Sequence, residues 1–178
     1  GAIVPLNGKG FQALNRGKLQ VFAADTSTGI FHLQKAGLGY VFEAPANEPL
    51  YSQKWFVAAT KGNTELINII NAGMALISNS ERREIERRWA SISEPSVYYD
   101  DSETERTLKL SVQERQWLAD HPVIRVHNET DWPPFNFFED GKALGFSIDY
   151  MNLLAAMVDV KVEYVTGPTW SEFLDMMK

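Results

Sequence analysis

The residues best suited to touching another molecule lie together in DWPPFNFFEDGKALGFSIDYM, Asp131 to Met151. Trp132 and Phe135 flank Pro133 and Pro134, and a ring face can cover an aliphatic, aromatic or cationic group. The prolines fix φ, so presenting the two rings costs less ordering entropy when a ligand arrives. Trp132 and Phe135 are therefore expected to contact a ligand, with Asp131 at the head of the loop as a third candidate. Phe137, Phe138 and Phe146 are expected to fill the gap between a sheet and a helix. As a group, Asp131, Glu139 and Asp140 crowd a turn, where solvated charge is the ordinary explanation.

Asp25 is the other acid in a suggestive place, after the apolar run LQVFAA and before TSTG. At a strand end beside a helix N-terminus it could offer a carboxylate to an ammonium group. Plain helix capping is the equal alternative. Asp149 reads as a first-turn carboxylate favoured by a helix dipole. His32, His121 and His127 have no metal-ligand spacing, and the chain contains no G-x-S-x-G or phosphate loop. No catalytic residue, metal site or cofactor is expected.

Composition narrows the class. The chain has 178 residues, 44% hydrophobic and 12% aromatic, enough for a packed core. Lys and Arg number 17 against 23 Asp and Glu, a net charge of -6, and no basic stripe could follow a phosphate backbone. Nucleic acid is excluded as an expected partner. No apolar run approaches the roughly 18 residues of a membrane span, and the start lacks signal-peptide regions. The chain is expected to be cytosolic or a soluble piece of something longer. With no cysteine, disulfides and thiolate zinc sites are excluded.

Several elements must position these residues. A helix over Gly10 to Arg16 closes at Gly17, followed by a strand over Leu19 to Ala24 and a short helix capped by Thr26 or Ser27. Tyr40 to Phe42 and Lys54 to Ala59 read as strands around a proline-bearing turn, Ala44 to Leu50. Leu66, Ile69, Ile70, Met74 and Ile77 recur at helical spacing, and Ser80 to Trp89 forms a charged helix burying Ile85 and Trp89. Residues 91–107 are polar and acidic, and Tyr98 and Tyr99 are expected to dock on a neighbouring surface. Ser111 and Glu114 form a capping box for a helix burying Trp117 and Leu118, and Val123 to Val126 begins a buried strand. Ser147 can cap a helix carrying Ile148, Met151, Leu154 and Met157, stapled by Phe146. Strand KVEYV and a last helix opened by Thr169 and Glu172 follow.

The order L-x-x-E-R-x-W-L-x-x-H-P, strand VIRV, D-W-P-P-F, G-F-S-I-D-Y helix, strand KVEYV and W-S-E-F-L helix resembles the opening of a family-3 extracellular solute-binding domain. This is the Venus-flytrap type that occurs in tandem in the periplasmic part of BvgS-like hybrid sensor histidine kinases. LNRGKLQVFAAD, KWFVAATKGNTELINIINAGMALIS and ERREIERRW resemble the closing part of a preceding copy. The resemblance implies an α/β, periplasmic-binding-protein-like (type 2) fold, partial, with βα units around a mostly parallel sheet. It implies residues 1–90 as the end of a first domain, 91–110 as linker and 111–178 as the start of a second. It gives Asp25 an ammonium-binding role, although Gln20 stands where the family often has an earlier Asp, and the family's carboxylate-binding arginine belongs to a segment outside this chain.

The function implied is periplasmic sensing of a small solute, such as an amino acid or small organic acid, by lobe closure that signals to a membrane-linked kinase. An importer's receptor and the binding domain of a lytic transglycosylase are the alternatives. A two-stranded unit over 122–178 would bury too little surface alone, so the halves are expected to complete each other, within one chain or in a homodimer by exchange.

Overall fold

The structure, a computed structural model, describes residues 8–42, 52, 54–89, 107–168 and 170–176. The turn at Ala44 to Leu50, the pair Tyr98 and Tyr99, the cap at Thr169 and most of the 91–110 connection lie outside them. Among the described residues the order is α1 (Gly8–Asn15), α2 (Thr26–Lys35), α3 (Thr64–Leu76), α4 (Asn79–Trp89) and α5 (Val112–Asp120). There follow β1 (Val123–Asn128), β2 (Asp131–Trp132), β3 (Asn136–Glu139), β4 (Lys142–Leu144), α6 (Phe146–Met157), β5 (Lys161–Thr166) and α7 (Trp170–Met176). The fold is mixed α/β, with a partial parallel sheet.

The core forms where α3 crosses α6. Ile70 on α3 and Ile77, its C-cap, meet Leu154 on α6, with Leu66, Met74, Met151 and Met157 partly buried around them. Each such side chain contributes about 1.5–3 kcal/mol when fully withdrawn from water. Gly73 permits the close approach, since a Cβ there would lie 2.6 Å from Leu154 Cδ2. Elements of the two halves thus pack on one another within a single chain.

β1 and β5 pair in parallel, from Val123 opposite Lys161 to Asn128 opposite Thr166. Burial alternates over the first four residues of both strands, because a pleated strand points successive side chains to opposite faces. β1 is therefore half-buried where a buried strand was expected. Between these strands the chain makes an antiparallel meander, β2-β3-β4. Asp140 and Gly141, at φ 51° and 78°, supply the left-handed pair that a two-residue hairpin turn requires.

Three expected strands do not form. Leu19 to Ala24, Tyr40 to Phe42 and Lys54 to Ala59 have no ladder partner among the described residues, and Val21 and Phe56 are 81% and 85% exposed. An isolated extended segment gains no cross-strand hydrogen bonds to offset the entropy of ordering it.

The expected helices form, although not all by the expected caps. Ser111 and Glu114 make the full capping box of α5, but Trp117 and Leu118 are only half-buried, and Trp117 stacks on His121 instead. Asp25, and neither Thr26 nor Ser27, caps α2. The N-cap of α6 is Gly145, not Ser147, and it makes no side-chain cap.

Candidate functional site

The proline loop is held from behind by the start of α6. Phe146 N–H donates to Pro134 O and Ser147 N–H to Phe135 O, both at 2.9 Å. These are leading amides that have no partner inside their own helix. Loop carbonyls therefore do the work expected of Ser147. Gly145 allows the fit: its φ is 123°, and a Cβ would meet Phe135 O at 2.5 Å.

On this support Trp132 and Phe135 come together, ring centroids 4.9 Å apart. Trp55, from the unpaired Lys54 to Ala59 segment, joins them at 4.8 Å from Trp132 and 6.1 Å from Phe135. Phe146 closes the row at 5.9 Å from Phe135. Trp55 is 56% exposed, so the cluster opens to solvent. Phe137 is buried as expected of a gap filler, whereas Phe138 is 45% exposed, because Phe138 takes the opposite face of β3.

Beside the loop, between α2 and the meander, lies a cleft of about 370 Å³ lined by Phe31, His32, Asp131, Pro133, Phe137 and Glu139 among others. Thr28 ties α2 to Pro133 of this lining, donating its buried hydroxyl to Pro133 O at 3.0 Å. Lys35 and Glu139 form an ion pair at its rim. Asp131 lines this cleft, while Trp132 and Phe135 stand outside it. Three of the four candidate residues thus divide between two neighbouring surfaces, and Asp25 lines neither.

Asp25 accepts from Thr28 N–H at 2.8 Å and caps α2, the ordinary role for its position. It also acts electrostatically on His32, together with Asp131. Burial holds the His32 imidazole below its usual value, Lys35 reinforces this, and the two carboxylates oppose it. Nε2 of His32 is buried with no hydrogen-bond partner among the described residues. A neutral imidazole carries one N–H donor and one acceptor nitrogen, and Asp131 adds a carboxylate that suits a ligand group donating hydrogen bonds.

Sequence reasoning missed His32, Phe31 and Trp55. For His32 the apolar-polar spacing on α2 was the available signal; for Trp55 there was none, since its partners are distant in sequence. Among the described residues no cluster of His, Asp and Glu could hold a metal, and no helix is long and apolar enough to cross a membrane.

Residues 124–178 match the family of bacterial extracellular solute-binding proteins, family 3. The virulence sensor protein BvgS of Bordetella pertussis is 27% identical over 176 residues, covering 98% of this chain and 14% of that protein. Its counterparts in Bordetella bronchiseptica and Bordetella parapertussis are 26% identical over the same extent. The chain spans about 14% of the length of these curated relatives. The segment from Ile124 on β1 through the aromatic loop, α6, β5 and α7 thus resembles the family-3 extracellular solute-binding proteins, in a chain similar throughout to a stretch of BvgS sensors.

Proposed function

We propose that this chain is a periplasmic ligand-sensing region of a two-component sensor histidine kinase, built from residues 1–90 of one solute-binding domain, a connection over 91–110 and the start of a second over 111–178. The small solute is bound as lobes close, and the change in population between open and closed forms is what passes to the membrane-linked kinase. Trp132 and Phe135 cover its apolar part, and Asp131 and Asp25 receive its hydrogen-bond donors. The observation that carries this reading is the juxtaposition of the aromatic row with the His32–Asp131 cleft, to which Asp131, Trp132 and Phe135 come from the segment that matches the solute-binding family. Ligands of open α/β folds sit beyond the carboxyl ends of parallel strands, and the loop leaves β1 at that end.

The test uses the intact receptor. Calorimetry of its whole extracytoplasmic region against amino acids and small organic acids should find binding that Trp132→Ala weakens, and the same solute should change autophosphorylation of the membrane-embedded protein. A coding sequence without a transmembrane helix and histidine-kinase core downstream would overturn the sensor reading.

A further inference from the structure

We propose that Trp89 is a positioning residue that couples the wall of the cleft to the end of α4, from which the chain continues into residues 90–106. Two contacts meet at its indole. On one side the ring stands edge-on to Phe137, with centroids 5.7 Å apart and planes at 88°. Phe137 is 5% exposed and lines the cleft. On the other side Nε1 donates to Asp149 Oδ2 at 2.7 Å, and the same oxygen receives Arg88 Nη1 at 2.8 Å. Asp149 stands in the first turn of α6, whose leading amides hold the carbonyls of Pro134 and Phe135. Trp89 therefore reaches both the cleft lining and the helix end that fixes the aromatic loop, through one residue each.

Close packing makes this a coupling and not merely a contact. A ring packed against a buried neighbour cannot yield continuously, so a displacement of Phe137 must be met by Trp89. Trp89 in turn cannot tilt without straining a hydrogen bond to a carboxylate whose side chain is only 17% exposed. Arg88 is 51% exposed, and an ion pair so open to water contributes little by itself. The indole bond is therefore the element that carries the coupling. Its meaning for signalling rests on the sensor reading above, but its existence is testable with no ligand.

The test is hydrogen exchange on the full chain, comparing the parent with Trp89→Phe, Asp149→Ala and Phe137→Leu. Trp89→Phe keeps a ring against Phe137 while removing the donor and one ring of the indole, and Asp149→Ala removes the acceptor and leaves the indole whole. The amides of Phe146 and Ser147 should exchange about tenfold faster in Trp89→Phe and in Asp149→Ala, as for loss of one hydrogen bond to a charged group. Amides of β1 and β5 should keep their rates. Because coupling is reciprocal, Phe137→Leu should speed exchange at Arg88 and Trp89. Uniform acceleration along the chain would mean a general loss of stability and overturn the proposal, as would unchanged rates at Phe146 and Ser147 or at the end of α4. A receptor that binds no solute yet shows this exchange pattern would refute the sensor reading and leave the coupling standing.

Discussion

Trp55 stands edge-on to Trp132, their ring centroids 4.8 Å apart and their planes at 75°, although one belongs to each half of the chain. Trp132 therefore sits in an open aromatic row, not in the α3–α6 core. Trp132→Ala should cost about 1–2 kcal/mol of unfolding free energy, the worth of a few exposed aromatic contacts. Deleting a core aromatic costs about 3–5 kcal/mol. Urea unfolding distinguishes them: a loss in the core range would place the ring in the core and remove it from the binding surface.

Asp25 separates capping from charge pairing by a conservative change. Asp25→Asn retains an oxygen for Thr28 N–H and should leave the melting temperature nearly unchanged, while Asp25→Ala should cost about 1 kcal/mol. If the solute carries an ammonium group bound by this carboxylate, Asp25→Asn should abolish its binding in calorimetry. Undiminished binding of an amine solute would leave Asp25 as a cap alone.

What could be read in advance depended on how local the deciding interaction was. The α5 capping box, the apolar period of α3 and the β1 and β5 strands rest on spacings of a few residues, and all appear. The β3–β4 hairpin was equally local, since Asp140-Gly141 is a two-residue turn signal, but the aromatic residues around it were read as a loop. KWFVAA has strand composition and forms no strand, because pairing needs a neighbour that composition cannot supply. The α2 cap fell among three adjacent oxygen-bearing residues, and only the backbone conformation at Asp25 selects that carboxylate. Trp55 and His32 enter the site through contacts between the two halves, which no local pattern encodes.

Gly145 should tolerate no side chain. Gly145→Ala would place a methyl within 2.5 Å of Phe135 O and 2.7 Å of Pro134 O, at a φ of 123° that L residues rarely adopt. Both partners are backbone, so neither can rotate away. We expect a loss of about 2–3 kcal/mol and a displaced proline loop, read by denaturant titration and by changed Trp132 fluorescence. A variant as stable as the parent would contradict the loop–helix docking.

His32 predicts a pH dependence. Burial lowers its value in the fold, so the unfolded chain takes up a proton first as the solution is acidified from neutrality. Its contribution is undisturbed above the ordinary value of 6.5 and becomes destabilising as pH falls through 6.5 towards the lowered value in the fold. His32→Gln should flatten that part of the stability profile in urea titrations between pH 5 and pH 7, roughly the range in which an imidazole titrates. An unchanged slope would show that His32 is not the group responsible.

Thr28 offers the sharpest measure of how firmly the two halves hold together. It is fully buried on α2, and its hydroxyl donates to Pro133 O in the proline loop at 3.0 Å. Thr28→Val keeps the shape and leaves that buried carbonyl without its donor, which costs about 1–3 kcal/mol. Thr28→Ser keeps the donor and loses one methyl, which costs about 1 kcal/mol. If α2 and the meander unfold as one unit, Thr28→Val should be the less stable of the two, and circular dichroism and tryptophan fluorescence should report the same shifted midpoint. A valine variant as stable as the serine variant would mean that Thr28 does not tie α2 to the proline loop, and midpoints that diverge between the two probes would mean that the halves melt separately.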